Sequence, residues 1–275
     1  MYKRLPGRRD SRRLSRDHLF LSKKENNFYV NEGYLVRENQ FTTNEVDSLR
    51  KALERAVNSA EEKADNGQVY YLDKKKFVDV GHITLQYEPQ PNDNVLRVIE
   101  PAHSLDKELS SLIKDKRITD PVRSILEEED ISLWTDKLNL KRPGNGSGFG
   151  WHQDSPYWVH DNKNVDLLPN VYLSLDDADE ANGCFRVIRA SHKEGCLPGT
   201  SNGTQLGGFY TDPSCFTETD AVDIRIKAGS LVFFNQHIVH GSEPNLSDQQ
   251  RRAYIITYQP KDQPMLKSGV INNIN

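Results

Sequence analysis

A mainly β fold with helices packed outside it is what this sequence predicts. Three observations lead there. From Ile131 onward, short apolar runs follow one another at 131–141, 148–154, 170–176, 184–188, 222–226, 230–235 and 251–259, and clusters of Gly, Pro, Asn and Asp separate them. Before Ile131, segments with helical spacing alternate with strand-like ones. With 275 residues the chain has room for one large sandwich or barrel and a sizeable core.

The elements follow in order. Residues 1–25 are rich in Arg and Lys (Arg8, Arg9, Arg12, Arg13, Arg16, Lys23, Lys24). Asp10 and Asp17 interrupt the run, and no aromatic is interleaved between Arg8 and Phe20. That favours a solvated, poorly ordered extension over a nucleic-acid arm or a transit peptide. Residues 26–275 read as a single domain. Gly33-Tyr34-Leu35-Val36 is a short strand. Thr42 with Glu45 is a capping box, and Val46, Leu49, Leu53, Val57 and Ala60 recur at helical spacing behind it. Val69–Leu72, Thr84–Tyr87 and Val95–Ile99 are strand-like, with a Pro89/Pro91/Asn92 turn before the last. Two short helices are expected at Leu105–Ile118 and Asp120–Leu126, the second with Pro121 early, where its missing N–H costs nothing. In the strand-rich half, 193–220 is a long segment rich in Gly and Pro, which reads as a lid.

Composition narrows the function. A net charge of −4 and a pI near 6.1 do not suit a nucleic-acid partner. Cys184, Cys196 and Cys215 are odd in number and form no CxxC pair, which argues against a disulfide framework or a thiolate zinc site. They fit a reducing, cytoplasmic setting. No apolar run reaches membrane-span length and no signal-peptide pattern opens the chain, so a soluble protein without a membrane partner is expected.

The chemistry centres on Gly148-Phe149-Gly150-Trp151-His152-Gln153-Asp154. On a strand end, residues i and i+2 share a face, so His152 and Asp154 can grip one metal ion together. His240 is the best third ligand. One His-x-Asp pair is common by chance, and a lone histidine is more often a core residue than a ligand. Two imidazoles and one carboxylate on one face of an ion, with the other face open, form the donor set of non-haem Fe(II) oxygenases. Arg251 opens the strand after His240. That spacing predicts strand, turn, strand, with Arg251 beside His240 on the neighbouring strand. Arg252 faces the other way. His192 and His237 are poor ligand candidates, His237 because it falls on the opposite face of the strand that carries His240.

These segments resemble the phytanoyl-CoA dioxygenase family, including its ectoine-hydroxylase-like members. The matching motifs are Trp151-His152-Gln153-Asp154, Glu180-Ala181-Asn182-Gly183-Cys184, Ile188-Arg189-Ala190-Ser191-His192, Gly229-Ser230 through His240-Gly241-Ser242-Glu243-Pro244-Asn245, and Arg251-Arg252-Ala253-Tyr254. They occur in the family's order, over roughly Gly33 to Tyr258. One departure is Arg189-Ala190, where members usually carry Pro-Gly.

The resemblance implies a double-stranded β-helix (jelly-roll, cupin-like) core. It also implies an Fe(II)- and 2-oxoglutarate-dependent dioxygenase that uses O2 and releases succinate and CO2. His152, Asp154 and His240 would be the iron ligands, and Arg251 would hold the distal carboxylate of 2-oxoglutarate. Asn139, in Lys137-Leu138-Asn139-Leu140-Lys141, and Arg97 correspond to positions near the cosubstrate. Arg97 stands where some members have Lys and can serve substrate instead. Trp158 corresponds to an aromatic that stacks on substrate, with Trp151, Tyr157 and His160 completing an aromatic mouth. The retained Asp154 implies hydroxylation rather than halogenation. Two other classes stay open, a jelly-roll binding module without catalysis and a cupin-type metal-dependent hydrolase or isomerase. The substrate is a small molecule. The aromatic mouth favours a polar or cationic one over a long acyl chain. The sequence does not decide the oligomeric state.

Overall fold

Long strands bury both of their faces in this chain, and that divides the molecule into layers. A computed structural model describes residues 19–274. The basic run before Leu19 lies outside the described residues. The elements are α1 (Lys23–Glu32), β1 (Tyr34–Arg37), α2 (Thr43–Ala64), β2 (Gln68–Leu72), β3 (Lys75–Val80), β4 (Ile83–Tyr87) and β5 (Leu96–Glu100). Then come α3 (Lys107–Leu112), α4 (Lys116–Leu126), β6 (Ile131–Lys141), β7 (Phe149–His152), α5 (Ser155–Trp158), β8 (Asn170–Ser174) and β9 (Phe185–Ile188). The chain ends with β10 (Ala221–Ile224), β11 (Leu231–Phe234), β12 (His240–Ser242), β13 (Arg251–Pro260) and β14 (Asn273–Ile274).

Two antiparallel sheets result. A ten-stranded sheet runs β1-β11-β8-β13-β6-β5-β4-β3-β2, with β14 on β6, and a four-stranded sheet runs β10-β9-β12-β7. They face each other as the walls of a double-stranded β-helix. Alternation sorts the side chains of the large sheet. Leu138, Leu140, Leu173, Phe233, Tyr254 and Ile256 turn outward and meet Val46, Leu49, Leu53 and Val57 of α2 in one buried cluster. Burying each such side chain contributes about 1.5–3 kcal/mol. Tyr172, Val232, Phe234, Ala253 and Ile255 turn inward and meet Phe185 and Val187 of the small sheet. On β6 the inward positions are instead polar: Lys137, Asn139 and Lys141.

Several expectations need correction. The α1 helix begins at Lys23 behind a Ser22/Glu25 capping box, so the expected boundary of the extension at residue 25 falls inside a helix. Glu25 locks it further by taking the Arg37 guanidinium at 2.8 Å. The hairpin partner β3 was not expected, because its Lys75-Lys76 start hides the alternation. The two short helices meet at Asp115, which caps α4, rather than near residue 119. Pro121 therefore lies inside α4, past the first turn, where it removes a backbone donor.

Candidate active site

The β7 strand ends on His152, and Asp154 follows at the entrance to α5. Across the small sheet His152 pairs with His240 of β12, which brings the two imidazoles to a centroid separation of 4.2 Å. Donor atoms of His152, Asp154 and His240 all lie within 4.8 Å of one another.

The hydrogen bonds around this cluster orient it. His152 Nδ1 lies 2.7 Å from the Gly150 carbonyl and His240 Nδ1 lies 3.0 Å from the Ile238 carbonyl. A carbonyl oxygen only accepts, so each Nδ1 carries the proton and each Nε2 offers its lone pair. Burial, then the neighbouring His240, pushes His152 down to about 3, and burial also lowers His240. Both rings are therefore neutral donors. Burial penalises the charge on Asp154, yet its surroundings, the Lys137 ammonium first among them, hold the carboxyl below its usual range. Asn170 donates to Asp154 Oδ2 at 2.9 Å, and Lys137 Nζ lies 3.4 Å from Oδ1. Two neutral imidazoles and one oriented carboxylate facing a common point fit Fe(II).

Beyond the cluster a cavity of about 220 Å³ opens between the sheets. Arg251 lines it and is only 2% exposed. Its Nε donates to the Gly183 carbonyl at 3.0 Å, and among the described residues no carboxylate pairs with it. Nearby stand two buried polar atoms without a partner, Asn139 Oδ1 and the Tyr172 hydroxyl, whose residues also line the cavity. An unpaired buried guanidinium beside unsatisfied polar atoms is a costly arrangement unless a ligand completes it. A planar, bidentate carboxylate does so. Lys141 flanks Arg251 across the β6–β13 ladder and donates to the Gly183 and Glu243 carbonyls. Burial, then Arg251 and Arg97, pushes its ammonium down to about 6.

The remaining predicted residues divide. Arg97 lines the cavity, but its terminal nitrogens are engaged by Ser147 Oγ at 2.5 Å and the Gly148 carbonyl at 2.9 Å, with Glu88 3.8 Å away. It ties down the loop that leads into β7. Trp158 is buried against Trp134 and lines the cavity, and Tyr157 lines it while stacking on Phe209 at 4.4 Å. Trp151 does not line the cavity. It is one residue from His152 on a strand, so it turns to the outer face and packs on Phe216 and Arg186. His160 is exposed and also off the cavity.

Two further corrections concern the second histidine's surroundings. Arg251 is not on the strand beside His240. β12 pairs with β7 and β9, whereas β13 pairs with β6 and β8, so Arg251 reaches the cavity from the opposite sheet. His237 lies in the turn before β12 rather than on a strand, bonded to Ser155 Oγ at 2.8 Å and Asp166 at 2.7 Å. Arg252 turns away to Asp176 and Glu54.

Sequence reasoning missed Lys137, Asn170, Gln153 and the aromatics of segment 193–220. The alternation Lys137-x-Asn139-x-Lys141 was a usable signal for Lys137. Gln153 is fully buried on the face away from the cluster, where it donates to the Gly195 and His237 carbonyls and accepts from Leu197 N–H. Tyr210 lies on Gly150, where a Cβ would meet its ring at 3.0 Å, and accepts from Lys75 Nζ at 2.8 Å. Asp73 accepts from the Gln205 and Leu206 N–H groups at 2.9 and 2.6 Å. Nothing in the sequence links the β2–β3 turn to that distant loop.

Known proteins share this arrangement of elements. The family model described as phytanoyl-CoA dioxygenase (PhyH) matches residues 29–253. A probable alpha-ketoglutarate-dependent hypophosphite dioxygenase of Stutzerimonas stutzeri is 28% identical over 248 residues, which span 88% of this chain and 80% of that protein. An ectoine dioxygenase of Bordetella parapertussis is 26% identical over 245 residues, 84% of this chain and 72% of that protein. Among solved structures, EctD from S. alaskensis with 2-oxoglutarate and 5-hydroxyectoine aligns with a TM-score of 0.68 at 22% identity, covering 91% of this chain and 80% of that one. At that identity the likeness speaks to the fold. A match that runs from α1 into β13, across both sheets and through the His-Asp-His cluster, means that the chain belongs to the phytanoyl-CoA dioxygenase family.

Proposed function

We propose that the protein is an Fe(II)- and 2-oxoglutarate-dependent dioxygenase that oxidises a small molecule and releases succinate and CO2. The observation that carries this reading is the pairing of two features in one cavity: a His152/Asp154/His240 donor set and a buried Arg251 without a carboxylate. A cupin-type hydrolase has no use for that arginine, and a mere binding module has no use for the oriented metal cluster. Relatives are named for hypophosphite and for ectoine, which is consistent with a small substrate.

The roles follow from the geometry. His152, Asp154 and His240 hold the ion, and Asn170 and the two backbone carbonyls fix the direction of its ligands. Arg251, helped by Asn139 and Tyr172, seats the distal carboxylate of 2-oxoglutarate. When bound, Fe(II) supplies the redox chemistry by which O2 splits 2-oxoglutarate into succinate and CO2 and leaves one oxygen atom on the substrate. Trp158 and Tyr157 form the substrate wall. Segment 193–220 acts as the lid of a single catalytic domain spanning 26–275, and Phe209 and Tyr210 close over the cavity to exclude water. No described helix is long and apolar enough to cross a membrane. The three cysteines are unpaired, which suits a reducing, cytoplasmic location.

The test is succinate release from 2-oxoglutarate with Fe(II) and O2, compared between wild type and His152→Ala. Wild type forms succinate and the variant does not. Equal succinate from both contradicts the assignment.

A further inference from the structure

The walls of the cavity carry more positive than negative charge. Its ionisable lining includes the cations Lys75, Arg97, Lys137 and Arg251 against the carboxylates Glu100 and Asp154. Three of these six are accounted for by the reading above and by the protein. Asp154 is committed to the metal and Arg251 to 2-oxoglutarate. Arg97 is committed to Ser147, Gly148 and Glu88. Fe(II) and 2-oxoglutarate carry two positive and two negative charges, so binding both leaves the surplus in place.

Lys75, Lys137 and Glu100 remain. Lys137 borrows its nearest counter-charge from Asp154, 3.4 Å away, and must share that oxygen once a metal takes the carboxylate. Glu100 also accepts from Thr135 Oγ1 at 2.9 Å. Lys75 has no carboxylate partner among the described residues, only the Tyr210 hydroxyl. Of the uncommitted lining charges, one carboxylate therefore stands against two ammonium groups in a partly desolvated space, a surplus that an anion would balance.

We infer that the substrate bears a compact oxyanion, a carboxylate or a phosphonate, held by Lys137 and Lys75, with its carbon part against Trp158, Tyr157 and Phe209. This rests on the oxygenase reading of the same site. It reverses the preference for a cationic molecule that the aromatic residues suggested. Of those rings Trp158 already has the Lys137 ammonium over it at 5.9 Å, and Tyr210, which the sequence reading did not include, has Lys75 at 5.5 Å, so these faces already serve cations of the protein itself. The cavity, about 220 Å³, is below the roughly 300–1,000 Å³ of ordinary ligand pockets. It must also hold 2-oxoglutarate, so the substrate is short.

The experiment uses the full chain loaded anaerobically with Fe(II) and 2-oxoglutarate, read by its visible charge-transfer band. Propionate, methylphosphonate, propionamide and propylammonium are titrated in turn. The inference predicts that one or both anions shift the band at a concentration at least about tenfold lower than the amide or the amine. The two anion arms separate carboxylate from phosphonate. Lys75→Glu should erase that preference and move it toward propylammonium, while 2-oxoglutarate still forms the band, and Lys137→Met should erase the preference as well. Tyr210→Phe removes the hydroxyl from Lys75 but keeps the charge, and should keep the ranking. Three results overturn the inference: propionamide or propylammonium acting as well as the anions, anions that abolish the band by displacing 2-oxoglutarate, or lysine variants with an unchanged ranking. Absence of the band before any analogue is added contradicts the oxygenase reading itself, and the substrate inference falls with it.

Discussion

Arg251 is the residue whose surroundings make least sense without a ligand. It is nearly fully buried, flanked by Lys141 and bonded to a single carbonyl. Hydrogen bonds to charged groups contribute about 1.5–3 kcal/mol, which corresponds to roughly tenfold to a hundredfold in affinity. Arg251→Lys keeps the charge and loses the fork. It should raise the apparent KM for 2-oxoglutarate by about that range, measured from succinate release, and an unchanged KM places the carboxylate elsewhere. Asn170 is a positioning residue, tied to both Asp154 and Thr257 Oγ1. Asn170→Ala should weaken Fe(II) binding about 10- to 100-fold in a competition titration, the usual effect of removing a ligand's support. At this scale the His-Asp-His cluster was legible from its residue types, even though Asp154 sits just past β7, at the start of α5, and so does not itself follow the rule that i and i+2 on a strand share a face. The same rule turns Trp151 outward, and grouping it with the aromatics by proximity in sequence overrode that rule. That Lys137 and Asn170 meet Asp154 was hidden, because Asp154 comes from a separate segment at the start of α5.

Elements carry two further consequences. Burial works against the charge on Glu25, but the Arg37 guanidinium and the Ser22 hydroxyl and N–H outweigh it and bring its carboxyl down to about 2. A depressed folded pKa means stability that is present above the ordinary value near 4.5 and lost as pH falls from there toward 2. Glu25→Gln should cost about 1 kcal/mol at neutral pH. It should also flatten that acid dependence in denaturation curves, and parallel curves for both proteins would show that the α1 cap carries no such charge. Gly183 sits in the turn before β9 at φ +71°, where a Cβ would meet the Glu243 carbonyl at 2.1 Å and Lys141 Nζ at 2.8 Å. Gly183→Ala should destabilise by about 1–3 kcal/mol. It should also weaken 2-oxoglutarate binding, since its carbonyl anchors Arg251. The α2 helix and most strands were legible from capping and periodicity. The sheet that holds Arg251 was not, because chain spacing does not distinguish a hairpin turn from a crossover. Residues 243–250 make the crossover, from β12 in one sheet to β13 in the other.

On the scale of the whole molecule, two sheets that differ in size enclose one cavity, and each contributes what the other lacks. The small sheet brings His152 and His240 together, and the large sheet supplies Arg251, Asn139, Lys137 and Lys75. The chain has a net charge of −4, yet its cavity wall carries a surplus of cations. Composition averages over the surface and cannot report the sign of an interior. Only the fold places the β3 lysine and the 193–220 segment at the same mouth. The central claim is that metal and 2-oxoglutarate bind together at this junction. Anaerobic titration of the full chain with Fe(II) and 2-oxoglutarate measures it directly through the visible charge-transfer band. A band that needs both additions, is lost in His152→Ala and demands more 2-oxoglutarate in Arg251→Lys is the predicted result. No band in the folded wild-type protein, or a band indifferent to both substitutions, contradicts it.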